Sequence, residues 1–476
     1  MFSRVTFYDQ TMTINPAIFK AYDIRGIYPT EINEEIYEKI IRGIYSFFIR
    51  DLKKERLAVI LGRDMRVSSP SLFEVAKKAL VASGATVIDV GLVSTPSFYF
   101  AVLEYGYDIG IMITASHNPK EYAGSKFVSR KGNKIIKIGK NTGMDTVAQN
   151  VLTDSFVPYS NDGKIIKKTN VLDDEIDKAL SEIDQTKIKP FTVVSDPANG
   201  MGSLYIGRLF EKIPGNLIKM NFDLDGTFPA HPADPLDFEN LKPLQDRVIA
   251  EKADLGIEPD GDGDRVFFIN EKGEVVPATF ISALIAKEVL EKQSGQTIIS
   301  DIRYTQNVKN IVEKNNGTFE VSKVGHAFIT EDVNKKNAFF AGESSGHFYF
   351  GQVGGAESSI RVILYVLLAM SIEGQPLSAI LSKLQSSYES GETNFILNDP
   401  KDGKRILEVM SEKYEDGEIS WLDGISVDYP TWRFNIRTSN TEPLLRLNVE
   451  AVDIETMKKE QTKLLSELIR LGAKKK

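Results

Sequence analysis

A chain of 476 residues is several times longer than one ordinary domain, so we expect three or four domains. Its net charge of -8 argues against nucleic acid or a membrane surface as a partner, because either partner requires a basic face. The absence of cysteine excludes disulfides, thiolate metal sites and a cysteine nucleophile.

No segment is typical of a membrane span or of a secretory signal. The longest apolar run, residues 362–370, is much shorter than the roughly 20 residues that a helix needs to cross a bilayer. Arg4, Asp9 and Asn15 interrupt the N-terminal region before an apolar stretch can form. We therefore expect a cytoplasmic protein.

The first predicted unit is a strand, a helix and a second strand. Residues 57–61 form an apolar run, and Ser69 with Pro70 signals the start of a helix. Gly84 ends that helix before a strand at 87–90.

Next in the chain, the apolar strand 109–113 breaks abruptly into Thr114, Ala115, Ser116, His117, Asn118 and Pro119. Proline cannot continue a strand, so we expect Ser116 to stand free on a strained turn at the carboxyl end of the strand. His117 and Asn118 can orient a group carried by this serine. We do not expect Ser116 and His117 to act as nucleophile and base, because the side chains of adjacent residues rarely meet.

Two more units repeat the strand, helix and strand order. "FTVVSDPANGMG" begins at residue 191 and leads into a helix to about residue 212, and "TIISDIRYT" begins at residue 297 and precedes a helix around 308–312. Strands that alternate with helices of this length predict α/β domains with parallel sheets covered on both faces. Ligands bind at the carboxyl ends of such strands, where Arg303 lies.

The stretch "EPDGDGDRVFFI" concentrates carboxylates. In an extended chain Asp260, Asp262 and Asp264 point to one side, and the two intervening glycines let the backbone curl around an ion. Such a cluster favours Mg²⁺, Mn²⁺ or Ca²⁺, with a solvated acidic turn as the alternative. An EF-hand is excluded because its sixth position would be Arg265, not glycine. Arg265 is better placed to grip an anion brought to the metal.

Two further polar stretches suit sugar and phosphate. In "AGESSGHFYF", Glu343 and Ser345 supply a carboxylate and a hydroxyl that can recognise the hydroxyls of a polyol, although a surface turn is the simpler interpretation of that stretch alone. "NIRTSNTEP" supplies a guanidinium, hydroxyls and an amide at the end of a strand, the groups of a phosphate cradle without a P-loop: Arg437, Ser439, Asn440 and Thr441.

The C-terminal region has the period-two alternation of half-exposed antiparallel strands at 432–440 and 444–453, followed by a helix at about 454–471. From this change of pattern and the three units we place boundaries near residues 160, 272 and 387. The expected domains are 1–160, 161–272, 273–387 and 388–476.

If the four polar stretches meet in one cleft, they suit phosphoryl transfer to and from Ser116, which needs positioning and charge neutralisation above all. A hydroxyl nucleophile also needs an acid or base, for which the candidates are Lys126, His326 and His347.

Five motifs in order between residues 21 and 443, "AYDIRG", "TASHNP", "DGDGDR", "GESSGH" and "RTSNTEP", resemble those of the α-D-phosphohexomutases, the phosphomannomutases and phosphoglucomutases. The resemblance implies three related α/β domains with mixed, mostly parallel sheets and a C-terminal α+β phosphate-binding domain around a central cleft. It also implies an intramolecular phosphotransferase that interconverts the 1- and 6-phosphates of mannose or glucose through a phosphoserine and a bisphosphorylated sugar.

The resemblance further implies one Mg²⁺ per chain, hexose 1,6-bisphosphate as activator and intermediate, phosphorylated hexoses as partners, and a monomer or homodimer. The implied metal ligands are Ser116, Asp260, Asp262 and Asp264. The implied catalytic residues are Ser116, Lys126, His326, His347, Arg25 and Arg265. The implied substrate-binding residues are Tyr22, His117, Asn118, Arg303, Glu343, Ser345, Arg437, Ser439, Asn440 and Thr441.

Two departures from the family pattern concern the site. Ala123, Gly124 and Ser125 replace the usual residues before Lys126, so the loop that carries this lysine is expected to be set differently. A single histidine, His231, stands where relatives often have a pair, which makes it a poor catalytic candidate.

Three alternatives stay open. Asn440 resembles the mannose and glucose type, whereas glucosamine-type members usually have glycine there, so a phosphoglucosamine mutase is the alternative within the family. A non-catalytic phosphosugar-binding protein and a metal-dependent phosphatase are the alternatives from other classes.

Overall fold

The computed structural model describes residues 14–399, 401–439 and 444–476. Domain I contains seven strands and four α-helices among these residues: β1 (Ile24–Ile27), α1 (Glu34–Leu52), β2 (Ala58–Arg63), α2 (Ser69–Ala82), β3 (Thr86–Leu92), α3 (Thr95–Glu104), β4 (Ile109–Ile113), β5 (Tyr122–Lys131), β6 (Lys134–Lys137), α4 (Met144–Leu152) and β7 (Lys164–Lys167).

The domain I sheet has the strand order β1-β5-β4-β2-β3-β7, with β6 on β5. The strands β4, β2, β3 and β7 are parallel, whereas β1, β5 and β4 pair antiparallel. Lys164 of β7 pairs with Thr86 in this sheet, so the last strand of the sheet lies just beyond the boundary that we place near residue 160.

Domain II has a five-stranded sheet in the order β12-β11-β10-β8-β9. Its elements are α5 (Val171–Ser181), β8 (Phe191–Ser195), α6 (Gly202–Phe210), β9 (Gly215–Lys219), α7 (Lys242–Glu251), β10 (Leu255–Pro259), β11 (Val266–Asn270) and β12 (Val275–Val276).

Domain III also has a five-stranded sheet, in the order β14-β13-β15-β16-β17. Its elements are α8 (Ala278–Lys292), β13 (Thr297–Asp301), α9 (Gln306–Lys314), β14 (Thr318–Ser322), α10 (His326–Lys336), β15 (Phe340–Gly342), β16 (Phe348–Phe350), β17 (Ala356–Glu357), α11 (Ser359–Glu373) and α12 (Leu377–Leu384). Within the described ranges no single helix is long and apolar enough to cross a membrane; α11 and α12 pass that test only together, across a 92° bend.

Domain IV is built on a sheet whose described pairings are all antiparallel, in the order β20-β21-β22-β23-β19-β24 with β18 on β23. Its elements are β18 (Tyr388–Glu389), β19 (Thr393–Ile396), α13 (Asp402–Lys413), β20 (Glu418–Ser420), β21 (Ile425–Asp428), β22 (Trp432–Thr438), β23 (Leu444–Ala451), α14 (Ile454–Arg470) and β24 (Lys474–Lys475). The period-two alternation of the sequence thus forms β22 and β23.

The repeated sequence units form the same structure three times. β2-α2-β3, β8-α6-β9 and β13-α9-β14 each join two parallel neighbours through a helix, which confirms the α/β class. One apolar cluster takes side chains from all three of these domains, including Val102, Val193 and Phe350, whereas domain IV packs around a core of its own. Domains I–III therefore share one apolar core, and the described apolar cluster of domain IV is separate from it.

Candidate active site

Ser116 lies immediately after β4 in a strained turn, with φ of 52° in the left-handed region that non-glycine residues rarely adopt. Its N–H donates to Thr114 Oγ1 at 2.9 Å, and its hydroxyl donates to Asp260 Oδ2 at 3.1 Å. Ser116 Oγ also lies 3.3 Å from His117 Nδ1, so the expectation that these adjacent side chains do not meet was wrong.

We had expected Ser116 to stand free at the strand end, but it is buried and only 1% exposed. The loop after β10 covers it so closely that a Cβ on Gly261 would lie 2.5 Å from the Ser116 carbonyl oxygen. The buried Arg66 donates hydrogen bonds to the carbonyl oxygens of Ser116 and Asn118 at 2.7 and 2.5 Å. Sequence reasoning missed Arg66, whose only signal was its place just after a strand end.

Asp260, Asp262 and Asp264 are buried, and one oxygen from each lies within 4.8 Å of the others. Residues 261–264 form a turn and not an extended chain, so the carboxylates converge through the curling of the backbone that we expected the glycines to allow. Burial, together with the charges of Asp264 and Asp262, raises the pKa of Asp260 to about 7. Asp262 Oδ1 is buried without a hydrogen-bond donor among the described residues, which fits a cation-binding oxygen.

Lys126 provides a positive charge beside these carboxylates. Its Nζ donates to Asp262 Oδ2 at 2.7 Å and also to Asp264 Oδ2. Burial opposes the charge, but Asp262 and Asp264 outweigh it and raise the pKa of Lys126. Lys126 lies within strand β5 and not in a loop, contrary to our expectation, because residues 122–131 pair with β4 and β1.

His347, immediately before β16, connects the acidic cluster to the predicted sugar-binding residues. Its Nε2 lies 3.3 Å from Asp264 Oδ1, and its Nδ1 lies 3.0 Å from Glu343 Oε2 and 3.1 Å from Ser345 Oγ. Burial and Arg265 oppose protonation, but Asp264 and Glu343 raise the pKa of His347 to about 9. Arg265 Nε also donates to His347 Nε2 at 3.2 Å.

Glu343 is held in its ionised form by its surroundings. Tyr349 Oη donates to its Oε2 at 2.9 Å, and the Gly325 N–H donates to its Oε1 at 3.2 Å. Burial would raise the pKa of Glu343, but contacts with His347, Arg303 and Tyr349 lower it well below its usual range. The carboxylate is thus a hydrogen-bond acceptor that lines the cavity of this site.

His326 is the first residue of α10, and its ring centre lies 6.4 Å from that of His347 and 5.3 Å from that of Tyr22. Burial, with the nearby charges of Lys137 and Lys126, lowers the pKa of His326 well below its usual range. The neighbouring histidines therefore favour opposite protonation states.

Three arginines also line the cavity wall: Arg303, Arg437 and Arg446. Arg303 donates to Asp301 Oδ1 at 2.9 Å and lies 3.4 Å from Glu343. In domain IV, Arg437 and Arg446 are opposite each other on β22 and β23 and share the carboxylate of Glu392. Sequence reasoning missed Glu392 and Arg446; the regular alternation of β23 was the one signal for Arg446.

A cavity of about 890 Å³ joins these groups. The predicted residues in its wall are Tyr22, His117, Arg265, Arg303, His326, Glu343, Ser345, His347, Arg437 and Ser439. The other predicted residues within the described ranges are not part of this wall: Ser116, Asn118, Lys126, the three aspartates, and Arg25, which donates to Asp23 and Asn118. Asn440 and Thr441 lie outside the described residues.

Family models for the phosphoglucomutase/phosphomannomutase α/β/α domains I, II and III match residues 16–150, 174–273 and 278–388. The model for the C-terminal domain of the same group matches residues 392–466.

Individual proteins match over nearly their full length. A phosphomannomutase of Vibrio cholerae is 36% identical over 95% of this chain and 98% of its own, and one of Methanocaldococcus jannaschii is 35% identical over 96% and 98%. A crystal structure of a phosphoglucomutase/phosphomannomutase family protein from Burkholderia thailandensis superposes with a TM-score of 0.87 at 29% identity, covering 97% of this chain and 99% of that one. The chain therefore belongs to the phosphoglucomutase/phosphomannomutase family of phosphotransferase enzymes.

Proposed function

We propose that this enzyme interconverts the 1- and 6-phosphates of mannose or glucose through a phosphoserine at Ser116. The observation that carries the proposal is the hydrogen bond of Ser116 Oγ to Asp260 within a carboxylate cluster. His347 contacts this cluster through Asp264 and also lines a cavity whose wall bears Arg303 and Arg437. A sugar with two phosphates needs such a cavity, with a reactive end and a holding end.

At the reactive end, a sugar hydroxyl oxygen attacks the phosphorus atom carried by Ser116. The bond from phosphorus to Ser116 Oγ breaks, and the proton of the sugar hydroxyl ends on Oγ. The bisphosphate then turns around, and Ser116 Oγ takes the phosphoryl group from the other hydroxyl, which completes the isomerisation. Because Ser116 is only 1% exposed, the cleft must open before a sugar hydroxyl can reach its Oγ.

Asp260, Asp262 and Asp264, with Ser116, are the residues that would hold Mg²⁺, and the bound ion supplies neutralisation of the charge on the transferring phosphoryl group. Lys126 already neutralises part of the carboxylate charge through Asp262 and Asp264.

At the holding end, Arg303 and Arg437 grip the phosphate that does not react, while Glu343 and Ser345 orient the sugar by its hydroxyls. Lys126, His326 and His347 are the candidates for general acid and base. The names of the relatives from Vibrio cholerae and Methanocaldococcus jannaschii support mannose as one substrate.

Intact mass spectrometry of the wild type and Ser116→Ala, with and without glucose 1,6-bisphosphate, tests the nucleophile. We expect one phosphate adduct on the wild type and none on the variant. An adduct of equal abundance on Ser116→Ala would refute the assignment.

The substrate is tested by assaying mannose 1-phosphate, glucose 1-phosphate and glucosamine 6-phosphate in parallel. We expect turnover of the first two, and activity confined to glucosamine 6-phosphate would instead indicate a phosphoglucosamine mutase. With labelled substrate phosphate, release of one free phosphate per sugar would indicate a phosphatase.

A further inference from the structure

Glu392 places one carboxylate among three guanidinium groups from two domains. Its Oε2 accepts from Arg437 Nη2 at 2.9 Å, and its Oε1 accepts from Arg446 Nη1 at 3.2 Å. Arg303 Nη1 of domain III lies 4.0 Å from Glu392 Oε2. All four side chains line the cavity of the candidate active site, so this carboxylate lies where a ligand anion would meet the arginines.

The carboxylate satisfies these arginines only in part. Arg437 is 3% exposed, and its Nε is buried without a hydrogen-bond partner among the residues that the structure describes. Burial and the neighbouring charge of Arg303 lower the pKa of Arg437, as expected for cations held together with too little negative charge. A phosphate offers three oxygens and close to two charges, so it can satisfy donors that one carboxylate leaves unpaired.

Glu392 also has room to withdraw. It lies in the short segment between β18 and β19, and the preceding Gly391 has no atom within 4 Å of the position that a Cβ would take. The side chain of Glu392 is 23% exposed, whereas that of Arg437 is almost fully buried. The carboxylate can therefore leave for solvent while the arginines stay in place.

We propose that Glu392 sets the phosphate affinity of the site as an internal competing anion, which pairs with Arg437 and Arg446 until a substrate phosphate displaces it and returns when that phosphate leaves. The proposal rests on the proposed function, because a bisphosphate that turns around must release each phosphate from this end of the cavity. An internal anion shortens the residence of the phosphate by keeping the released state stable.

The direct test is the affinity for mannose 1-phosphate and for inorganic phosphate, measured by calorimetry on full-length protein carrying Ser116→Ala, with and without Glu392→Gln. Glutamine keeps the shape and removes the charge. We expect both ligands to bind about tenfold tighter, because one competing charge pair is worth roughly that factor in a largely desolvated site. Unchanged or weaker binding would overturn the proposal, since it would mean that Glu392 only positions the arginines.

Turnover provides a second readout in protein with Ser116 intact. We expect Glu392→Gln to lower KM and kcat together, because tighter grip slows the exchange of the two phosphates, and Glu392→Asp to lie between wild type and Glu392→Gln. A rise in KM would contradict the proposal.

Glu418→Gln is the matched control, because it removes the same charge from domain IV at an exposed position outside the cavity wall. Its phosphate affinity should equal that of the wild type, and equal tightening in both variants would show an effect of net charge alone. The binding assay needs no turnover. If the mass experiment found no phosphoserine, the proposed function would be refuted, but the affinities of the Glu392 variants could still be interpreted.

Discussion

At the scale of single residues, Glu175 shows how burial changes an ordinary carboxyl group. It lies on α5, is 1% exposed, and accepts a hydrogen bond from Ser97 Oγ at 2.6 Å. Burial raises the pKa of Glu175 from 4.5 to about 7, although Ser97 and Arg361 act in the opposite direction. Since the folded-state pKa lies above the unfolded value, the folded protein binds this proton more tightly between pH 4.5 and 7, and stability falls as the pH rises through that window.

We expect Glu175→Gln to raise the thermal midpoint at pH 8.5 and to change it little at pH 4.5, because glutamine keeps an acceptor for Ser97 and never ionises. Ionisation of the buried wild-type side chain at high pH lowers the free energy of unfolding by on the order of 3 kcal/mol. Thermal melts across this pH range measure the difference. Asp177→Asn, at an exposed position of the same helix, should show no such dependence, and a Glu175→Gln gain that is equal at both pH values would contradict the argument.

At the scale of elements, the approach of β1 to β5 depends on Gly124. Arg25 and Gly124 are register partners in this antiparallel pair, and a side chain at Gly124 would collide with the carbonyl oxygen of Ile24. Backbone cannot give way as a flexible side chain can. The stretch before Lys126 departs from the family pattern, but it has a glycine at the position where the backbone of β1 leaves no room for a side chain.

We expect Gly124→Ala to destabilise the protein by about 3 kcal/mol, the upper end for overpacking, and to lower activity by displacing Arg25 and Lys126. Thermal melts and the mutase assay measure the two effects. Gly207→Ala is the control, because its Cβ meets no atom closer than 3.7 Å and alanine favours the helix α6. Equal midpoints for the two variants would show that the β1–β5 approach is not tight.

At the scale of the whole molecule, a buried ion pair joins domain I to domain III. Lys137 Nζ of β6 donates to Glu357 Oε2 of β17 at 2.6 Å, and both side chains are at most 2% exposed. The rings of Tyr99 and Tyr349, one from each domain, lie 4.9 and 5.3 Å from the same ammonium group. The pair lies beside His347 and Asp264, so it supports the reactive end of the cavity.

We expect Lys137→Met to cost about 3 to 5 kcal/mol, because it leaves the Glu357 charge buried and unpaired. The double variant Lys137→Met with Glu357→Leu should lose less stability than Lys137→Met alone, because no unpaired charge is then buried. Calorimetric melts of both proteins make the comparison, with the exposed pair Lys242 and Asp246 as a control whose Lys242→Met variant should change the midpoint little. A double variant less stable than Lys137→Met would show that the pair contributes net stability.

The sequence by itself determined the three repeated units, the different C-terminal domain, and the residue types that carry the chemistry. These follow from local rules: hydrophobic periodicity selects helix or strand, and proline after a strand forces the turn that bears Ser116. The three aspartates could be recognised as one cluster because they lie within five residues of one another. Their convergence comes from a turn at 261–264, in line with the curling of the backbone that the two glycines were expected to allow.

Only the tertiary structure decided which remote groups meet. Lys126 and Asp262 are 136 positions apart, and Arg66, Glu392 and Arg446 carry no motif of their own. Periodicity specifies the face on which a side chain lies but not the domain that packs against it. Burial, and therefore the charge states of Asp260, His347 and His326, depends on that packing, which is why the electrostatics of the site could not be predicted from the chain.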